Sequence, residues 1–159
     1  MVNKKSDPRR RGMLKTLMKS VCDHNKIEIT DVLKYKSSHQ GYLILFDDFN
    51  YVGDHLSLGG KELWKVLKMH VDHRYPDLTV IWPSQPRIAI LMGLKTTRQV
   101  RHYLDELRST KPPLLISRRR QDKTTLHVLL DPPKEWSQST KKKLKDEKEA
   151  RSRKLQQTG

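Results

Sequence analysis

The sequence predicts an α+β fold: a small three-helix core closed by a β-hairpin, with basic, disordered tails at both ends. Three observations predict it. Apolar residues recur at helical spacing in several short segments, most clearly Val100, Tyr103, Leu104 and Leu107. Two β-prone segments, Leu114–Ser117 and Thr124–Leu130, flank the cationic tip Arg118–Lys123. The termini are polar, rich in Lys and Arg, and poor in apolar residues.

Taken in order, residues 1–12 read as a disordered basic arm and residues 13–40 as an N-terminal extension. Within the extension, Met13, Leu14, Leu17, Met18 and Val21 predict a short amphipathic helix over Met13–Val21, ended by Asp23-His-Asn25. Lys26–Tyr35 is ambiguous. Ile27 and Ile29 alternate like a strand, whereas Thr30-Asp31 suits the start of a helical turn through Val32, Leu33 and Tyr35. Residues 41–133 form the main domain. Gly41–Phe46 reads as a buried strand and Asp47–Asp54 as a loop. Ser57–Val71 reads as a helix with Leu58, Leu63, Trp64, Leu67 and Val71 inward, its first turn weakened by Gly59-Gly60. His70–Leu78 is a polar connection, and Thr79–Trp82 a short extended stretch.

Two helices follow. Ser84 is a good N-cap with Pro86 tolerated in the first turn, and Ile88, Ala89, Leu91 and Met92 face inward until Gly93 ends the helix. Thr96 and Gln99 have capping-box spacing at the start of the next. Its apolar stripe leaves Arg98, Arg101, His102 and Arg108 pointing outward. Pro112-Pro113 stops that helix, the hairpin follows, and Asp131-Pro-Pro133 closes the domain. Residues 134–159 read as a charged C-terminal tail, at most weakly helical, with only two leucines to bury.

The chain has 159 residues, 33 Lys and Arg against 18 Asp and Glu, and a net charge of +15, which favours a polyanionic partner over a small neutral substrate. Position sharpens this. Residues 1–12 carry +4 and residues 134–159 carry +5. Residues 13–133 carry +6, of which residues 84–123 supply +7, so the rest of the folded part is nearly neutral. The cationic excess of the core therefore coincides with the helix pair and hairpin. The longest apolar run, Tyr42–Phe46, is far too short for a bilayer span, and no secretory signal pattern opens the chain. A single cysteine, Cys22, rules out an internal disulfide and fits a reducing cytoplasm. Few aromatics argue against stacking on single strands.

No catalytic constellation emerges, and no enzyme or cofactor is expected. Cys22-Asp-His24 lacks further zinc ligands nearby. His70, His73, Asp72 and Asp77 read as surface groups rather than a metal site. Asp47, Asp48 and Asp54 offer paired acids for a Mg²⁺ nuclease, the weakest alternative, and no Gly-rich phosphate loop is present.

The motif residues, taken as a set, resemble the winged helix-turn-helix family found in phage and plasmid replication-initiation proteins and in some bacterial regulators. Five features carry the resemblance: Leu56-Ser-Leu58 with Leu63-Trp64, Trp82-Pro-Ser-Gln85, Ala89 with Gly93, Gln99–Leu107, and the basic wing Leu115–Leu130. Two departures stand out. The turn between Gly93 and Val100 is one residue longer than usual, and Lys111-Pro-Pro113 replaces a glycine. The resemblance implies duplex DNA as partner, with residues 96–108 as recognition helix in the major groove. Arg98 and Arg101 would read bases, with Thr97 and His102 beside them. Ser84, Gln85 and Lys95 would meet phosphate, and Arg118, Arg119, Arg120 and Lys123 the backbone or minor groove. The basic arm is a candidate for further minor-groove contact. The implied role is replication initiation or replisome loading for a mobile element, with a cytoplasmic, nucleoid-associated location; a transcriptional regulator of the same fold is the alternative. A structured-RNA binder is the alternative of another class. Met13–Val21 packs on its own domain in the simplest reading, and is otherwise the apolar surface available for a homodimer or a protein partner.

Overall fold

The computed structural model describes residues 7–34, 55–75 and 77–158. Over these the chain is α+β, with six helices and a three-stranded antiparallel sheet. The expected strand Gly41–Phe46, the loop Asp47–Asp54 and residues 1–6 of the basic arm lie outside the described residues.

Helix α1 spans Pro8–His24, so it starts inside the segment expected to be disordered. Asp7 caps it by accepting from Arg9 N at 3.0 Å, and Pro8 occupies the first turn, where a missing N–H costs nothing. Arg9–Arg11 then oppose the positive end of the helix dipole. Distant acids offset this: Arg10 pairs with Asp72 at 3.5 Å and Arg11 with Asp77 at 3.0 Å. Tyr75 adds a bond from its hydroxyl to the Asp7 carbonyl at 2.8 Å. After Asn25 the chain reverses through Lys26 at φ 57°, and Ile27 N bonds Cys22 O at 2.9 Å. Within the ambiguous segment, Ile29–Lys34 is helical, as α2.

The sheet has the order β1-β3-β2, with β1 at Val80–Ile81, β2 at Leu115–Arg118 and β3 at Leu126–Leu129. Val80 lies opposite Val128, and Ile116 opposite the same residue on the other side. Every residue of β3 is buried, because helices cover both sheet faces. Leu126 and Val128 pack with Leu14, Met18, Val21 and Cys22 of α1. Leu129, Ile81 and Leu115 pack on the opposite side with α3 (Leu58–Lys68), α4 (Gln85–Met92) and α5 (Thr97–Ser109). The α1 stripe is thus spent on the sheet, as packing on its own domain requires, and is not a spare surface for a partner. Met13, included in that stripe, is 41% exposed.

The glycine pair in α3 has a tertiary reason. A Cβ on Gly59 would stand 2.1 Å from Tyr103 Cζ, and one on Gly60 would stand 2.8 Å from the Glu106 carboxylate. Both glycines let the start of α3 approach α5. Glu106 then accepts from Ser57 N at 2.6 Å and Ser57 Oγ at 2.7 Å, while Ser57 Oγ caps Gly60 N. This geometry turns Leu58 outward at 84% exposure, against the expectation that it faces the core. Leu63, Trp64, Leu67 and Val71 are buried as expected, joined by Val66.

The expected C-terminal tail forms helix α6 (Lys134–Gln157). Trp136 anchors its first turn, stacking on His55 at 4.4 Å and packing into the α3 side of the core. Beyond Ser137 almost every residue is exposed, so little besides i,i+4 pairs such as Glu147–Arg151 supports the rest. Among the described residues, no helix is long and apolar enough to cross a membrane.

Candidate nucleic-acid interface

Helix α4 begins at Ser84, whose hydroxyl accepts from Arg87 N at 3.3 Å. It ends at Gly93 with φ 70°, where Leu94 N reaches Ala89 O at 2.8 Å. A glycine is required there because a Cβ disfavours that backbone conformation. Ile88 and Ala89 are buried, but Leu91 is 44% exposed and Ile90 78%, so the outer face of α4 is more apolar than its spacing indicated.

The turn Gly93–Thr96 delivers the chain to α5, which starts at Thr97. That settles the register: Arg98 is the second helical residue and Arg101 the fifth. Thr96 is the N-cap but makes no side-chain cap bond, so the Thr96–Gln99 capping box is not formed. Val100, Leu104 and Leu107 are buried and Tyr103 is half-buried. Each buried aliphatic here contributes roughly 1.5–3 kcal/mol, which fixes the rotation of the helix about its axis.

That rotation sets the outer face. Arg98, Arg101 and His102 are all exposed. Arg101 and Arg108, seven residues apart, share the flank towards the hairpin, where Arg108 and Arg119 line one cleft. His102 lies on the flank towards α3, its ring 5.5 Å from that of Tyr103. Arg108 is held by Asp105 at 2.8 Å, which lowers its availability to a phosphate. Among the described residues, Lys95, Arg98 and Arg101 make no ion pair.

The four hairpin cations divide into two pairs. Arg118 bonds Ser20 Oγ on α1, and Arg120 Nε donates to Thr124 O at 2.9 Å, so these two brace the hairpin. Arg119 and Lys123 are exposed and have no such bond. Asp122 turns the tip at φ 54°. Where the hairpin leaves the core, Ser117 Oγ and His127 Nδ1 share a bond of 2.7 Å. Burial first, and Arg108 second, push the His127 pKa down to about 4.

Two expectations are corrected. The start of α4 offers a phosphate little: Arg87 N is taken by Ser84, and Pro86 has no N–H, leaving Gln85 N alone in that turn. The described part of the basic arm is not free, since Arg10 and Arg11 pair with Asp72 and Asp77. Arg87, overlooked in the sequence, stands exposed and bonded to His70 at 3.2 Å. Its position three residues after an N-cap was the available signal.

His70 Nδ1 also bonds Val66 O at 2.9 Å, and Asp72 is occupied by Arg74, so these groups are committed to protein contacts. Among the described residues, no group of three or more His, Cys, Asp or Glu is placed to hold a metal ion. The acids Asp47, Asp48 and Asp54 lie outside the described residues. No known protein family, curated protein or solved structure matches the chain.

Proposed function

We propose that the chain binds double-stranded DNA as a winged helix-turn-helix domain, with α4 and α5 as the helix pair and β2–β3 as the wing. The order α3-β1-α4-α5-β2-β3, with β1 joined to β3, is compatible with that fold. The observation that carries the reading is the outer face of α5. It presents Arg98 unpaired opposite the buried stripe and Arg101 unpaired on the flank towards the hairpin, and the stripe fixes the direction of both.

The N-terminal half of α5 enters the major groove in this reading. Arg98 and Arg101 take guanine O6 and N7, each pairing supplying about 1–3 kcal/mol of discrimination. Thr97 and His102 flank them. Lys95, Gln85 and the wing residues Arg119 and Lys123 meet phosphates, while Arg118 and Arg120 hold the wing in position. The resemblance to replication-initiation proteins supports a role as an initiation or replisome-loading factor acting at an origin. A transcriptional regulator would instead sit over a promoter.

Selection of bound sequences from a random duplex pool tests the reading. A motif containing guanine should emerge and lose information at one position when Arg101→Ala is used. An absence of enrichment, with structured RNA displacing duplex at equal concentration, contradicts it.

A further inference from the structure

A cavity of about 340 Å³ lies between α1 and the start of α4, and its cations have no role in the reading above. Its walls include Arg10, His70, Asp72, Trp82 and Arg87. These come from three separate stretches of chain, so the cluster is a product of the fold.

The charges around it do not balance. Asp72 is the single carboxylate, and Arg74 grips it from outside the cavity through Nε at 3.1 Å and a terminal nitrogen at 2.9 Å. Arg10 Nε approaches the same carboxylate only to 3.5 Å; it is buried and makes no hydrogen bond. With Nε enclosed, Arg10 offers a ligand its terminal nitrogens, which make no hydrogen bond among the described residues. The Arg10 guanidinium lies over the Trp82 ring at 5.7 Å, which holds it in place. Arg87 is aimed too. Its Nε donates to His70 Nε2 at 3.2 Å, and the ring is fixed by the Nδ1 bond to Val66 O at 2.9 Å. The terminal nitrogens of Arg87 have no partner among the described residues. The lining thus holds two guanidiniums, Arg10 and Arg87, against one carboxylate that Arg74 already grips, an excess of one positive charge.

We propose that this cavity binds a phosphodiester of the duplex, so that α1 extends the DNA footprint beyond the helix pair and wing. The proposal rests on the duplex-binding reading. Arginine suits the task because its planar fork donates two parallel bonds to phosphate oxygens. The adjacent helix end adds only Gln85 N, so the site depends on side chains.

The test compares the full chain with Arg10→Gln and Arg87→Gln in binding a mixed-sequence duplex as salt is raised. Each substitution should reduce the slope of log K against log salt by about 0.9 and weaken binding severalfold, whatever the sequence. Arg10 also supports α1, so thermal melting is followed in parallel; Arg87 is exposed, and its loss should leave melting unchanged. A purely structural role would lower the melting temperature without altering the slope. Titration with inorganic phosphate should shift the Nε–Hε resonances of both arginines in the wild-type chain. If the wild type binds duplex and both variants keep its slope, the proposal is overturned while duplex binding stands. A wild-type chain that binds no duplex overturns both.

Discussion

Acid should weaken this fold at one identifiable residue. His127 is 3% exposed, on the strand that is covered on both faces. Its imidazole would ordinarily take a proton near 6.5, but burial, helped by Arg108, withholds it until about 4. Between those values the unfolded chain binds a proton that the folded chain refuses. Stability is therefore complete above pH 6.5 and falls as the pH drops towards 4. At about 1.4 kcal/mol per pH unit, the gap between 6.5 and about 4 corresponds to a loss of roughly 3 kcal/mol. Asp72, held down to about 2 chiefly by its hydrogen bond from Arg74, loses its contribution only below 3.8. The two windows are separate. Urea unfolding at about pH 7.5 and about pH 4.5, on either side of most of that window, should show most of that loss in the wild type. His127→Asn, which cannot take the proton, should remove it. An equal fall in wild type and variant would refute the assignment to His127.

Other outcomes follow from the same contacts. Arg98→Ala and Arg101→Ala should each cost about 1–3 kcal/mol of binding to the selected site and much less to random duplex, read by competition anisotropy. Arg119→Ala and Lys123→Ala should weaken both kinds of duplex alike and each lower the salt slope by about 0.9, whereas equal losses confined to the selected site would contradict a backbone role. Gly59→Ala should destabilise by about 1–3 kcal/mol despite the better helix propensity of alanine, because its Cβ meets the Tyr103 ring. A raised melting temperature would contradict that packing. In the background of Tyr103→Ala the same substitution should cost far less.

The parts of this chain that were legible are those set by short-range chemistry. Ser84, Gly93 and the stripe Val100-Leu104-Leu107 each act within a turn or two of helix, so the α4–α5 unit was readable, α4 with its boundaries and α5 to within a residue at each end. The hairpin was equally plain, since β-prone segments flank a polar tip. What escaped depends on distant partners. Helix α1 reaches back to Pro8 because the distant acids Asp72 and Asp77 neutralise its first turn. Leu58 turns out because Gly59 and Gly60 press against α5, a constraint that the periodicity of α3 does not carry. Among the hairpin cations, Arg118 is set apart by a distant partner, Ser20 on α1, while Arg120 bonds Thr124 four residues on across the tip. The candidate site is in the same position. Its helix and wing were visible, while the Arg10–Arg87 cavity exists only after α1 has folded over the sheet.

The salt dependence of duplex binding by the intact chain bears most directly on the central claim. With Lys95, Arg119 and Lys123 on phosphates, and Arg10 and Arg87 adding up to two more, the slope of log K against log salt should lie at roughly −2.7 to −4.5. Binding that is absent, or that persists unchanged as salt is raised, would contradict the claim that the cationic face of α5 and its wing grip DNA.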